Sequence, residues 1–335
     1  MEITRMHEVH GYVLFVHKHI NISISDLGIG RSMNLHIQVL LLAVAMDILF
    51  GEMPGTIHPV VWLGALIRQT SRICERVRWK YVSGLMLALI CVSCALVVGI
   101  LLTRITAHLP IIGLFMMAYF LKSTFSIRSL ISSSNLIYKD LSANDHKSAR
   151  KDLISLVSRD TTTLDSHRIA SAAIESTAEN FVDGILSPIL YYALFGISGA
   201  LAYKAINTLD SMVGYKNERF RKIGFVSARL DDIVNWIPAR LSVFVILIAS
   251  VPYSPVSALK TCIRDHTYPA SPNSGFPMAA IAGALSCRLE KPGSYVLGSE
   301  YPDPDPQQIL QANRIVLIAS FILIVAVVMG LLLPI

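Results

Sequence analysis

Apolar and polar stretches alternate along this chain on the scale of whole helices, not of strands. Tyr81–Thr103 and Ile315–Ile335 are apolar runs of the ~20 residues needed to cross about 30 Å of hydrocarbon. Leu35–Phe50 is shorter and carries Asp47, and Ala107–Leu121 is borderline. Arg104 and Pro110 leave a very short turn between the second and third runs, which predicts a helical hairpin. Ile185–Tyr203 and Leu241–Val251 are ambiguous. The first contains Ser187, Pro188, Gly196 and Gly199; the second reaches about half a span before Pro252. If both crossed fully, segments 204–240 and 253–314 would fall on opposite faces, and 204–240 would be parted from 122–184. A shared site requires at least one of these runs to be buried, tilted or re-entrant, which is tolerated where protein covers the backbone. The pattern predicts an all-α, polytopic helical membrane protein with about four to six helices at membrane depth.

Between the runs, Ser123–Asp140 repeats apolar residues at helical intervals, and Lys147–Leu156 offers another amphipathic helix. Pro252, Pro255, Pro269, Pro272, Pro277 and Pro292 break 253–314 into short helices and loops. Pro302-Asp-Pro-Asp-Pro306 reads as a stiff acidic linker into the last helix. No stretch alternates as a strand would, and no solenoid-length repeat is present. The first 32 residues stand apart, with His7, His10, His17 and His19, a short apolar patch Tyr12–Val16 and no signal-peptide cleavage site. Met33 directly precedes the first strong apolar run. We read 1–32 as a dispensable tail, disordered or an over-extended start, ahead of one integral-membrane domain at 33–335; a histidine metal site in the tail is the alternative.

Composition sharpens the membrane reading. Of the 335 residues 53% are hydrophobic and 16% charged, with a mean hydropathy of +0.55, whereas soluble domains carry about 25% charged residues. The net charge of +6 is spread over several loops, without a long basic run or an aromatic platform. That argues against nucleic acid as a partner and for positive-inside topology beside anionic lipid. Cys74, Cys91, Cys94, Cys262 and Cys287 are odd in number and scattered. The Cys91-x-x-Cys94 pair lies in an apolar run with no second pair, so buried packing cysteines are expected.

The polar residues beside the apolar runs carry the chemistry, because ionisable groups near a bilayer are costly unless paired or used. Glu175, Glu179 and Asp183 recur every four residues and stack along one helix stripe. Three stacked acids repel one another unless a cation sits between them; Mg²⁺, which takes oxygen ligands, fits, and a solvated acidic face is the plain alternative. Lys204, Asn207 and Asp210 share another face, with Gly214 allowing a helix end or a close approach. Arg229, Asp232 and Asn235 repeat that spacing, with Asp231 alongside and Arg240 after Pro238. Internal salt bridges from Lys204 and Arg229 would balance the charge but leave the recurring amides unexplained. Asparagine offers both a donor and an acceptor, which suits an amide-bearing substrate or a nucleotide. His58-Pro59 reads as a turn before it reads as a ligand. Ser271-Pro-Asn273-Ser-Gly275, bounded by prolines, reads as a rigid loop with exposed amides. The common phosphate loops and the G-x-S-x-G elbow are absent, so any ATP site is of another kind.

At these residues the chain resembles the CbiB/CobD family, the adenosylcobinamide-phosphate synthases of cobalamin biosynthesis. The resemblance runs over about residues 35–314. It rests on Asp47, Pro54, His58-Pro-Val and Gly64, then Glu175-x-x-x-Glu179-Asn180-x-x-Asp183-Gly184. It continues through Tyr203-Lys204-Ala-x-Asn207-Thr-Leu-Asp210-Ser-Met-x-Gly214-Tyr-Lys216 and Ala228-Arg-Leu-Asp231-Asp232-x-x-Asn235-x-x-Pro238-Ala-Arg240. Ser271-Pro-Asn273-Ser-Gly275 and Ala282-Gly-Ala-Leu285 complete it. Met278 stands where the family usually has Glu, so that acid's role does not transfer.

The resemblance implies an ATP-dependent amide ligase of the cell membrane. It would join the last free side-chain carboxylate of adenosylcobyric acid, a corrinoid, to (R)-1-aminopropan-2-ol phosphate or to free aminopropanol. A carboxylate is a poor acyl donor, so phosphoryl activation with ATP and Mg²⁺ is expected. Under this reading Glu179, Asp183, Asp231 and Asp232 hold the metal, and Lys204, Asp210 and Arg240 are catalytic, the two cations as phosphate or carboxylate clamps. Asn180, Asn207, Asn235, Asn273 and His58 bind substrate. Membrane lipid and other late membrane enzymes of the pathway are the further partners. The alternatives are a non-catalytic AmpE-like membrane sensor, which should lack the combined Asn/Asp/Lys sets, and a transporter, which should show paired repeats.

Overall fold

The computed structural model describes residues 29–215 and 218–333, with side chains from Leu35 onward. The expected tail falls outside the described residues up to position 28, as does Lys216. Helices α1 (Ile29–Phe50), α2 (Pro59–Cys74), α3 (Lys80–His108) and α4 (Pro110–Lys122) open the fold. They are followed by α5 (Ile127–Ser142), α6 (His146–Leu153) and α7 (Ser166–Phe181). A π-turn at Val182–Leu186 joins α7 to α8 (Ser187–Val213). Then come α9 (Phe225–Val234), α10 (Trp236–Ala249), α11 (Pro255–Asp265), α12 (Gly275–Leu285) and α13 (Pro306–Leu332). The protein is an all-α polytopic membrane protein.

Four helical runs are long and apolar enough to cross a bilayer, or five if α9 and α10, bent by 41° about Asn235, count as one. In α3 and α13 only 33% of the most apolar window is buried by protein. The rest presents residues such as Leu85, Leu89, Leu96 and Ile100, or Leu317, Phe321 and Val325, to the outside. Apolar faces of that length need lipid. The α3–α4 connection is the tight hairpin expected at Pro110: only Leu109 separates the helices, and Gly113 lies so close on Thr106 that a Cβ there would overlap it. Gly99 likewise lets α3 meet α8 backbone to backbone at Ser198, the small-residue contact that lipid-embedded helices use. Cys91 is fully buried beside α8 and all five cysteines are free, in keeping with a packing role.

The ambiguous run Ile185–Tyr203 is re-entrant. At Gly196 the backbone takes φ 63° and ψ −160°, a region essentially reserved for glycine, and the chain doubles back. Tyr203 donates from its hydroxyl to the Asp183 carbonyl at 3.3 Å, and its ring stacks on Tyr191 with centroids 5.2 Å apart. In a straight helix twenty residues would hold Asp183 and Tyr203 about 30 Å apart. The run 166–213 passes the length and composition test for a span, yet both of its ends return to one side.

The short proline-broken helices expected in 253–314 are α11 and α12, which pack on each other. One difference from expectation is a two-stranded antiparallel hairpin, β1 (Leu289–Lys291) and β2 (Tyr295–Leu297), turned by Pro292-Gly293. Strands of three residues are too short to show alternation. The Glu290 amide donates to Ser171 at 2.8 Å and the Tyr295 hydroxyl to Glu175 at 2.7 Å, which pins the hairpin on α7.

Candidate functional site

Four elements converge on a cavity of ≈ 730 Å³. The end of α7 and the π-turn bring Glu179 and Asp183; the returning arm of α8 brings Asp210; α9 brings Asp231, Asp232 and Arg229; the 270–274 loop brings Asn273. The Gly196 reversal is what sets Asp183 and Asp210 on one cavity. Against five carboxylates the lining holds two cations, Arg221 and Arg229, and Arg229 pairs with Asp232 at 3.2 Å. Glu179, Asp183 and Asp210 make no side-chain hydrogen bond or ion pair among the described residues.

Asp231 is held in place: Asn235 donates to one oxygen at 3.0 Å and Asn207 to the other at 3.4 Å. Asn235 is buried at the α9–α10 bend, and its Oδ1 accepts from Ser187 and Tyr203, both at 2.9 Å. These two amides therefore spend their groups on protein, and both brace Asp231. Asn273 donates to the Asp232 carbonyl at 2.8 Å and accepts from Arg240 at 3.5 Å. Arg240 lies behind that loop, its guanidinium 4.0 Å from the Trp236 ring centroid and 4.5 Å from that of Phe276. It reaches the cavity through Asn273 and does not itself line it.

All four expected metal holders, Glu179, Asp183, Asp231 and Asp232, line this cavity, yet among the described residues no three His, Cys, Asp or Glu side chains close into a ready ligand group. The expected stripe is incomplete for two reasons. Glu175 turns away into a buried network with Ser171 at 2.8 Å, Tyr295 at 2.7 Å and Arg159 at 3.7 Å. The π-turn then inserts a wider helical turn between Glu179 and Asp183, a feature common at functional sites.

A second cavity of ≈ 360 Å³ lies on the other side of the same segment. It receives His58, Asn180 and Lys204, which sequence reasoning had grouped with the acids. Ser126, Ser129 and Ser133 line it from the start of α5, and Ser123 and Ser155 add hydroxyls. Lys204 makes no ion pair or side-chain hydrogen bond among the described residues; Asp183 and Asp231 act on it through space from one side and Glu52 from the other. Asn180 donates to the Ser176 carbonyl at 2.9 Å. His58 caps α2: Nδ1 accepts from the Val60 amide at 3.1 Å, so Nε2 donates to Glu52 at 2.6 Å. That hydrogen bond, with Lys122 3.6 Å away, holds the Glu52 carboxyl down at about 2 despite its partial burial. Lys122, 1% exposed, also pairs with Asp47 at 3.5 Å, while Asp47 caps the first amides of α5. Glu52, Lys122 and the serine face escaped the sequence reading. The spacing of Ser126, Ser129 and Ser133 on one helix face was the available signal, hidden because only the apolar positions there were counted.

The family model described as CobD/Cbib protein matches residues 40–317, a stretch that carries both cavities. The chain belongs to this family. It is 44% identical over 297 residues to the probable cobalamin biosynthesis protein CobD of Methanothrix thermoacetophila, covering 83% of this chain and 91% of that protein. It is 38% identical to the cobalamin biosynthesis protein CobD of Dehalococcoides mccartyi (81% and 89% covered) and 39% identical to that of Klebsiella pneumoniae (75% and 81% covered). Membership gives the CobD/CbiB chain a role in cobalamin biosynthesis. No solved structure matches it.

Proposed function

We propose that this CobD/CbiB chain is an ATP-dependent amide ligase of the cell membrane that joins adenosylcobyric acid to aminopropanol phosphate or aminopropanol. One observation carries the reading: five carboxylates from three segments surround one cavity with two arginines to offset them. Such a cavity calls for cations, and the reaction brings two, a metal and an ammonium. Mg²⁺ fits the all-oxygen donor set, because it is usually held by one or two carboxylates together with substrate phosphates and retained water, and needs no closed protein cage. Glu179 and Asp183, both without protein partners, and Asp231, oriented by its two asparagines, are the residues that would hold it. Bound there, it neutralises phosphate charge during activation of the carboxylate.

In the proposed reaction a corrinoid carboxylate oxygen takes the γ-phosphoryl group of ATP, releasing ADP. The ammonium loses one proton to become the amine, whose nitrogen then attacks the acyl carbon, sheds a second proton and expels phosphate. Asp210 has no protein partner among the described residues and lines the acidic cavity, so it is placed to take the ammonium's first proton. Arg240 and Asn273 keep the 270–274 loop against α9. The test is purified protein with ATP, Mg²⁺, adenosylcobyric acid and either amine, read by mass spectrometry. The amide product with stoichiometric ADP supports the reading; folded protein giving no product with either amine overturns it.

A further inference from the structure

The loop between α6 and α7 holds an arginine that the proposed reaction does not use. Residues 154–165 are fixed from both sides. The Thr161 hydroxyl donates to the Arg150 carbonyl at 2.9 Å, Arg150 Nε to the Leu164 carbonyl at 2.8 Å, and the Ser176 hydroxyl to the Leu156 carbonyl at 2.7 Å. Asp160 accepts from the Thr162 amide at 2.9 Å and tightens the turn. Arg159 is thereby held beside α7 with its side chain only 18% exposed. Yet none of its guanidinium N–H groups makes a hydrogen bond among the described residues, and Nε and Nη2 are shut off from solvent. Its neighbour Glu175 lies 3.7 Å away and already accepts from Ser171 and Tyr295 through its two oxygens. A buried cation so poorly paired is costly to a fold and points to an anion that completes it.

Arg159 lines a cavity of ≈ 120 Å³ together with Lys291 from β1, Ser158, Tyr295, Glu175 and Glu179. Lys291 is exposed, makes no ion pair among the described residues and acts through space on Glu179. Glu179 also lines the large acidic cavity, so one carboxylate is common to the two. An arginine fork with a separate ammonium matches a doubly charged phosphoryl group better than a single carboxylate. The space takes one such group and excludes a nucleoside, for which the adjoining ≈ 730 Å³ cavity has room. We propose that the Arg159–Lys291 cavity binds the terminal phosphoryl group of ATP, with the rest of the nucleotide in the acidic cavity. The inference rests on the ligase reading and adds the place of its phosphoryl donor. A metal held at Glu179 would border both cavities, where phosphate charge meets the acids and must be neutralised. Arg159 and Lys291 are in this view nucleotide-binding residues, and ADP, one phosphoryl group shorter, leaves them without a ligand.

The experiment is calorimetry on the full membrane-embedded chain, with Mg²⁺ and without corrinoid or amine. ATP, ADP and inorganic phosphate are titrated into wild type, Arg159→Gln, Arg159→Lys and Lys291→Gln, with the thermal midpoint of each variant as the folding control. Wild type should bind ATP about 30-fold more tightly than ADP, and inorganic phosphate should displace ATP but not ADP. Arg159→Gln should weaken ATP about tenfold and ADP less than about twofold. Arg159→Lys should restore part of the loss, and Lys291→Gln should weaken ATP severalfold. Equal binding of ATP and ADP by wild type, variants that weaken both nucleotides by one factor, or no binding of ATP and phosphate at all overturns the proposal. So does displacement of ATP by aminopropanol phosphate or by propionate at a lower concentration than by inorganic phosphate, which would give the cavity to the amine or to the corrinoid carboxylate. If Arg159→Gln loses its fold, Lys291→Gln, altered at an exposed position, decides by the same comparison of ATP with ADP. The expected binding pattern without turnover of either amine would count against the ligase reading alone, and turnover without that pattern against the proposal alone.

Discussion

The acidic cavity and the hydroxyl cavity share one wall and have little else in common. The first gathers acids that would repel one another in isolation, and its amides are spent on bracing Asp231. The second is close to electrically balanced, since Asp47, Glu52, Lys122 and His58 form ion pairs among themselves beside a single unpaired lysine. Uncompensated charge of one sign marks a place where a ligand completes the structure. Internally paired charge marks scaffold. Glu175 illustrates the scaffold case: chemically like Glu179 and one helical turn away, it is fully engaged by Ser171, Tyr295 and Arg159.

The strongest test of this contrast neutralises the acidic side. Asp183→Asn and Asp231→Asn should leave membrane insertion unchanged and lower turnover about 10²-fold, or roughly 2.7 kcal/mol of transition-state stabilisation, with a raised Mg²⁺ requirement. Near-normal activity per folded molecule would remove both from the metal site. Next in size, Gly196→Ala should strain the reversal that both cavities depend on by about 1–3 kcal/mol. A lower thermal midpoint in detergent and a fall in turnover are expected; full retention would mean that the hairpin tolerates another backbone. Asn235→Ala leaves Ser187, Tyr203 and Asp231 without their shared partner and should cost about 1–3 kcal/mol of stability, read as the midpoint shift in the same assay.

The smallest effect is expected on the scaffold side. The folded-state carboxyl of Glu52 lies at about 2, below its ordinary 4.5, so its contribution is present above that ordinary value and lost as pH falls from there through about 2. Glu52→Gln should be less stable than wild type at neutral pH by under about 1 kcal/mol, because the side chain is 44% exposed and screened by solvent. The gap should close on acidification. A gap constant from pH 7 to pH 3 would show that the His58–Glu52 pair adds nothing through charge.

Much of this architecture was legible in the residues. Tyr81–Thr103 and Ile315–Ile335 stood out because an apolar run of span length has few other uses, and Pro110 marked its hairpin because proline fits a helix start. The need for at least one buried, tilted or re-entrant run followed from the positions of the acids, but the residues left Ile185–Tyr203 and Leu241–Val251 both open. The residue that turns the chain was not identifiable, since a glycine at positive φ looks like any packing glycine. At the site, the sharing of one site by 122–184, 204–240 and 253–314 was expected, and Asp183, Asp210 and Asn273 from these segments line one cavity. Its division into two cavities was not, because Asn180 and Glu179 are sequence neighbours on opposite sides of a partition. Nor could spacing tell that Asn207 and Asn235 serve Asp231, which depends on a bend between two helices.

The reversal at Gly196 also settles a matter of parity. A segment that enters the bilayer and leaves by the side it came from contributes no crossing, however apolar it is. Counting 166–213 as a span would invert the assigned side of every later loop. With the reversal, labels placed at residues 160 and 220 should report the same compartment, and α9 lines one cavity with the end of α7 without a translocation between them. One backbone angle thus carries the expected sidedness of the second half of the chain relative to the first.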